Sequence, residues 1–174
     1  NEEESLRELH EWIAKVLTSL SYRYEIIMVD DGSSDSSWQV IEELATANKE
    51  VKGIRFQRNY GKAAALHTAF QAADGEVVIT MDADLQDPPE LIGQFVEEWR
   101  EGYDVVYGRR LSRSGESWVK INSAKWFYRV INSLSDVEIP TDTGDFRLLS
   151  RRAVDSLGSL REKHRYMKGL YAWV

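Results

Sequence analysis

Val77-Val78-Ile79-Thr80-Met81-Asp82-Ala83-Asp84-Leu85-Gln86-Asp87-Pro88-Pro89 is the stretch that decides the fold. Val77 to Met81 reads as a buried strand, and Pro88-Pro89 begins a helix carrying Leu91, Ile92, Phe95 and Trp99. Between them the chain breaks abruptly into clustered carboxylates. Groups of like charge that close together repel unless something positive lies between them. A divalent cation or a tightly held polar ligand is therefore implied. The plain alternative is a strand-to-helix turn, with Asp87 as N-cap and Pro88 at the first helical position.

Upstream the same grammar repeats. Val29-Asp30-Asp31-Gly32-Ser33-Ser34-Asp35 ends the β-rich run from Tyr24, and Ser36 or Asp35 can cap a helix through Trp38, Ile41 and Leu44. Leu6, Leu9, Ile13, Val16, Leu17 and Leu20 recur at helical spacing before it. Val51 to Phe56 reads as a strand, Gly61 opens an Ala-rich helix through Leu66 and Phe70, and Tyr103 to Tyr107 is a further strand. Beyond them, 119–134 reads as a helix, Asp145 to Leu149 as a strand, and Arg161 to Trp173 as a basic, aromatic helix. Strands alternating with helices predict an α/β domain, with a mostly parallel, Rossmann-like sheet covered on both faces.

Every early strand ends on polar groups: Asp30-Asp31, Arg58-Asn59, Asp82 with Asp84, and Arg109-Arg110. Open parallel sheets bind ligands at the carboxyl ends of their strands, so these residues converge on one edge. At 174 residues, 43% hydrophobic and 29% charged, the chain suits one soluble domain. It holds no cysteine, which excludes disulfides and thiolate metal sites. No run approaches the ~20 apolar residues that span a bilayer. Residues 1–108 hold 9 basic and 22 acidic side chains, net −13, and residues 109–174 hold 13 and 7, net +6. An acidic half beside a basic half argues against a nucleic-acid binder with a continuous basic face.

In order and spacing these motifs resemble the family 2 glycosyltransferases of GT-A fold. The resemblance implies a sugar-nucleotide donor whose leaving diphosphate is stabilised by Mg²⁺ or Mn²⁺. Asp84 and Gln86 match the metal-touching positions of the polyprenol-phosphate branch, and Asp82 matches the position facing the donor sugar or ribose. Asp30-Asp31-Gly32 resembles the nucleoside-binding turn. Arg58-Asn59-Tyr60-Gly61-Lys62 resembles the segment after the family's third strand, where Lys62 adds a cation near base or phosphate. Asn1-Glu2 matches the end of the family's first strand. Glu2 would then help hold the nucleoside, the strand itself would be missing from the chain, and residues 1–174 would be one GT-A domain cut from something longer.

Thr143-Gly144-Asp145-Phe146-Arg147 lies where other members carry the carboxylate that deprotonates a sugar hydroxyl. A phosphate acceptor needs no such base, being anionic at pH 7. Asp145 is thus the third catalytic candidate beside Asp82 and Asp84, either as base or as organiser of Arg147 and the acceptor. Arg161, Lys163 and Arg165, with Tyr166, Tyr171 and Trp173, suit a membrane interface holding an anionic lipid, and together with Arg147 they are the acceptor-binding candidates. That segment resembles enzymes that glycosylate dolichyl or undecaprenyl phosphate. The implied activity is inverting, metal-dependent transfer to a polyprenyl phosphate at the cytoplasmic membrane face, by a peripheral or tethered protein. The rivals are a soluble enzyme of the family acting on a sugar hydroxyl, and a non-catalytic sugar-nucleotide binding module.

Overall fold

A computed structural model describes residues 1–109, 143–159 and 171. The expected helix at 119–134 lies outside them, as does all but Tyr171 of the expected helix from Arg161. The described elements run α1 (Leu6–Ser19), β1 (Ile26–Asp30), α2 (Ser37–Ala47), β2 (Val51–Arg55), α3 (Lys62–Ala72) and β3 (Val77–Thr80). A 3₁₀ turn (Pro89–Leu91), α4 (Ile92–Arg100), β4 (Val105–Arg109), β5 (Thr143–Ser150) and α5 (Arg151–Ser159) follow. Among the described residues no helix is long and apolar enough to cross a membrane.

β1 and β2 pair in parallel, with Asp30 opposite Arg55 at their common end. β3 and β4 do not touch each other. β5 lies between them and pairs antiparallel to both. A strand of that length and hydrophobicity is legible in the sequence, but its direction depends on how the chain returns to the sheet, which no local pattern encodes.

β5 is also where the two faces of the molecule meet. Phe146 and Leu148 point one way, into a cluster with Leu17 of α1 and Ile92, Phe95 and Val96 of α4. Leu149 points the other way and joins Phe70 of α3, Ala153, Val154 and Leu157 of α5, and Tyr171. Leu148 and Leu149 are both fully shielded from solvent. This is the period-2 alternation of a strand covered on both faces. A separate cluster of Leu6, Met28, Val40, Ile41, Leu44 and Val51 packs α1 and α2 against β1 and β2.

Two boundaries differ from the sequence expectation for physical reasons. Pro89, not Pro88, opens the turn before α4, and no side chain caps it. Asp87 instead accepts the backbone N–H of Asp82 at 3.1 Å, closing the acidic loop on itself. α5 was not anticipated, because its three buried residues are spread through a polar sequence, RRAVDSLGS. Its first two arginines tie it down: Arg151 donates to the carbonyls of Ala73 (2.9 Å) and Gly75, and Arg152 pairs with Asp104 at the foot of β4.

A candidate active site at the strand ends

The site starts from register. Thr80 of β3 faces Arg147 of β5, and continuing that antiparallel ladder by two residues sets Asp82 across from Asp145. Like charges placed directly opposite on neighbouring strands are destabilising. The structure resolves the conflict with Lys62, the first residue of α3. Its Nζ donates to Asp82 Oδ1 at 2.5 Å and pairs with Asp145 Oδ2 at 2.7 Å. Asp145 shares its face of β5 with Leu149, which packs on α3, so the helix start arrives beside it. Burial works to lower the proton affinity of Lys62, but the hydrogen bonds to Asp145 and Asp82 outweigh it and raise the pKa above the usual lysine value. Lys62 therefore holds its charge at neutral pH.

A second anchor fixes the loop that delivers Lys62. Both oxygens of Asp31 accept backbone N–H groups, from Tyr60 at 2.7 Å and Gly61 at 2.9 Å. Gly61 has φ +94° and serves as the N-cap of α3. Gly32 has φ +76°, and a Cβ there would stand 2.6 Å from the amide nitrogen of Asn59. Neither the backbone angle nor the space admits a larger residue. The turn after β1 and the loop after β2 are thus pressed together, with Asp31 as the clasp. Asp30 is 3% exposed. One of its oxygens accepts the N–H of Ser33 at 2.9 Å, while the other has Arg55 Nε at 3.7 Å and no hydrogen bond.

The acidic turn after β3 is more open. Asp84 and Gln86 are exposed, and Asp84 Oδ1 accepts the N–H of Gln86 at 3.1 Å. Leu85 between them sits at φ +61°. A non-glycine residue in that region is strained and is kept there by its surroundings. The Asp84 carboxylate and the Gln86 amide oxygen are hard donors of the kind that Mg²⁺ or Mn²⁺ prefers, and the Asp82 carboxylate two residues before adds negative charge, so the donor set fits such an ion. Among the described residues no three His, Cys, Asp or Glu side chains stand ready as a complete cage. An ion here would complete its shell with water or ligand oxygens, as Mg²⁺ commonly does.

Glu2 is brought to the same side. Its N–H donates to Ser37 Oγ at 2.8 Å, and its carboxylate accepts from Ser5 Oγ at 3.1 Å. It lines a cleft of about 470 Å³ shared with Asp35 and Leu85 of the acidic turn.

Arg147, expected to meet the acceptor, is buried. It is 3% exposed, because it shares the inward face of β5 with Leu149. Its guanidinium donates to the carbonyl of Gly144 at 2.6 Å and stacks 3.9 Å from the ring centre of Tyr171. Burial pulls its pKa below the usual guanidinium range, a tendency that the Tyr171 and Asp145 oxygens oppose. Arg161, Lys163 and Arg165 lie outside the described residues. Sequence reasoning missed Thr80, whose hydroxyl donates to the backbone carbonyl of Asp145. It missed Tyr171 as a partner of Arg147 too. Both depend on strand register and long-range packing, and neither has a local signal.

Comparison with known proteins agrees with this geometry. The model of glycosyl transferase family 2 matches residues 1–158. An uncharacterized glycosyltransferase of Synechocystis is 48% identical over all 174 residues, which span 55% of its own length. A bactoprenol glucosyl transferase of Shigella phage SfV is 37% identical over the same 174 residues, 57% of its length. The chain therefore spans little more than half of these relatives. Among solved structures, glucosyl-3-phosphoglycerate synthase from Mycobacterium tuberculosis superposes with a TM-score of 0.63 at 20% identity, over 99% of this chain and 64% of that one. It was solved with Mn²⁺ and UDP-glucose. A mannosyltransferase from Pyrobaculum calidifontis, solved with GDP-mannose and Mn²⁺, gives 0.52 at 22% identity over 85% and 43%. These two share the GT-A fold with the chain. An acidic strand-end edge, a fold shared with sugar-nucleotide enzymes and a family match over most of its length lead to one conclusion: the chain belongs to glycosyl transferase family 2.

Proposed function

We propose that this chain is the catalytic domain of an inverting, metal-dependent glycosyltransferase. It moves a sugar from a nucleoside diphosphate donor to a polyprenyl phosphate at the cytoplasmic face of a membrane. The observation that carries the reading is the junction of Asp82, Asp145 and Lys62 beside the exposed Asp84–Gln86 turn. The relatives named bactoprenol glucosyl transferase, matched over all of this chain, support the lipid acceptor.

When bound, Mg²⁺ or Mn²⁺ supplies positive charge to the departing diphosphate. Asp84 and Gln86 would hold it, with Asp82 turned toward the donor sugar or ribose. Asp31 positions the loop whose Gly61 and Lys62 face the nucleotide, and Glu2 and Asp30 flank the nucleoside. A phosphate acceptor arrives already ionised, so Asp145 works as an organiser of the site rather than as a base. Arg161, Lys163 and Arg165 would meet the acceptor phosphate and the membrane. Arg147 would serve the acceptor side by holding Gly144 and Tyr171 in place.

Titration of a nucleotide-sugar panel by calorimetry, with Mn²⁺ and with excess chelator, tests the donor half. Binding of a matching donor only with the cation is expected, and equal affinity under chelation would refute the metal requirement. Transfer of sugar label into a chloroform-soluble product on adding polyprenyl phosphate tests the acceptor half. Label that stays water-soluble would favour a sugar hydroxyl acceptor.

A further inference from the structure

We propose that Lys62 is an exchangeable counter-ion, so that a divalent cation entering at the Asp84 turn displaces it from Asp82 and leaves it on Asp145. The inference rests on the metal-dependent reading above. Asp82 Oδ1 accepts Lys62, and this one ammonium neutralises the carboxylates of both Asp82 and Asp145. A cation bound by Asp84 and Gln86 draws on the same Asp82 charge. Two positive groups then compete for one carboxylate, and the divalent one is the stronger competitor.

The structure makes the exchange mechanically easy. Lys62 is half exposed and sits on a flexible four-carbon stem. It follows Gly61, around which a Cβ would touch nothing within 4 Å. Asp145, by contrast, is held from several sides. Its side chain is 21% exposed, its backbone carbonyl accepts Thr80, and Arg147 braces Gly144 before it. The moving partner is therefore the lysine–Asp82 contact, while the lysine–Asp145 contact persists. Two consequences follow: the empty site avoids carboxylate repulsion, and its affinity for a bare cation is kept low until a donor diphosphate adds its own negative charge.

The test is Mn²⁺ calorimetry on the full chain without nucleotide, for the wild type, Lys62→Gln and Lys62→Arg, with thermal melts confirming that each variant folds. An ion pair this exposed is worth little, so Lys62→Gln should bind Mn²⁺ about two- to fivefold more tightly. Lys62→Arg, which keeps the charge, should bind as the wild type does. Unchanged or weaker Mn²⁺ affinity in Lys62→Gln overturns the exchange alone, as does equal tightening in Lys62→Arg. Absence of Mn²⁺ binding from all three overturns the exchange alone, because the metal-dependent reading stands or falls on donor titration with and without chelator.

Discussion

Gly32 is the residue that lets the turn after β1 press against the loop after β2. Its positive φ and the backbone of Arg58 and Asn59 against it leave no room for a methyl group. Gly32→Ala should destabilise the fold by about 1–3 kcal/mol, read as a lower urea midpoint, because the strain must be absorbed by moving one of two clasped loops. Asp145→Asn tests the other side. With a phosphate acceptor its turnover should fall by less than the roughly 10²–10⁴-fold that loss of a general base brings, with donor affinity near normal. A loss at the top of that range with a verified lipid phosphate would contradict the organiser role. Measuring kcat and KM for the lipid acceptor separates the outcomes.

At the scale of elements, the junction between β5 and α5 is fixed by Asp104, the residue before β4. Ser150 Oγ donates to Asp104 at 2.6 Å, and Arg152 pairs with the same carboxylate. The hydrogen bond from Arg152, then that from Ser150, hold Asp104 below the usual carboxylate value of 3.8. A depressed folded pKa adds stability that is present above the unfolded value and is lost as pH falls through the folded one. Asp104→Asn should therefore lower stability at pH 7 by only about 1 kcal/mol, since the Arg152 partner is largely solvent-exposed. The difference from wild type should close below pH 3.8. Unfolding curves across pH 2–7 check both the size and the sign.

The whole molecule divides its charge, with net −13 in residues 1–108 and +6 in residues 109–174. Under the proposed function, an acidic half joined to a basic half suits a protein whose two substrates arrive from different phases. Each exposed cation near an anionic membrane contributes on the order of 1 kcal/mol, screened by salt. Replacing Arg161, Lys163 and Arg165 together with Gln in the full-length protein should raise the KM for a lipid acceptor strongly and leave donor titrations unchanged. Loss of donor binding with an unchanged acceptor KM would assign these residues to the nucleotide instead.

How much of this was legible in the residues follows from what each signal encodes. The apolar periods of α1, α2 and α4, the strands that end in carboxylates and the glycines of the turns after β1 and β2 are local, because backbone angles and side-chain alternation act within a few residues. From them came the α/β class, the acidic edge and the candidacy of Asp31, Asp82 and Asp84, while Lys62 and Asp145 were added by the resemblance to family 2. The sequence could say that Asp82 and Asp84 require a positive charge nearby. It could not say that a lysine twenty residues upstream supplies part of it, nor that Asp145 faces Asp82. Those facts rest on the antiparallel insertion of β5 between β3 and β4 and on the placement of α3 against it. Register and chain direction are set by packing across the whole sheet, where residues 62, 82 and 145 become neighbours, so tertiary structure alone decided them.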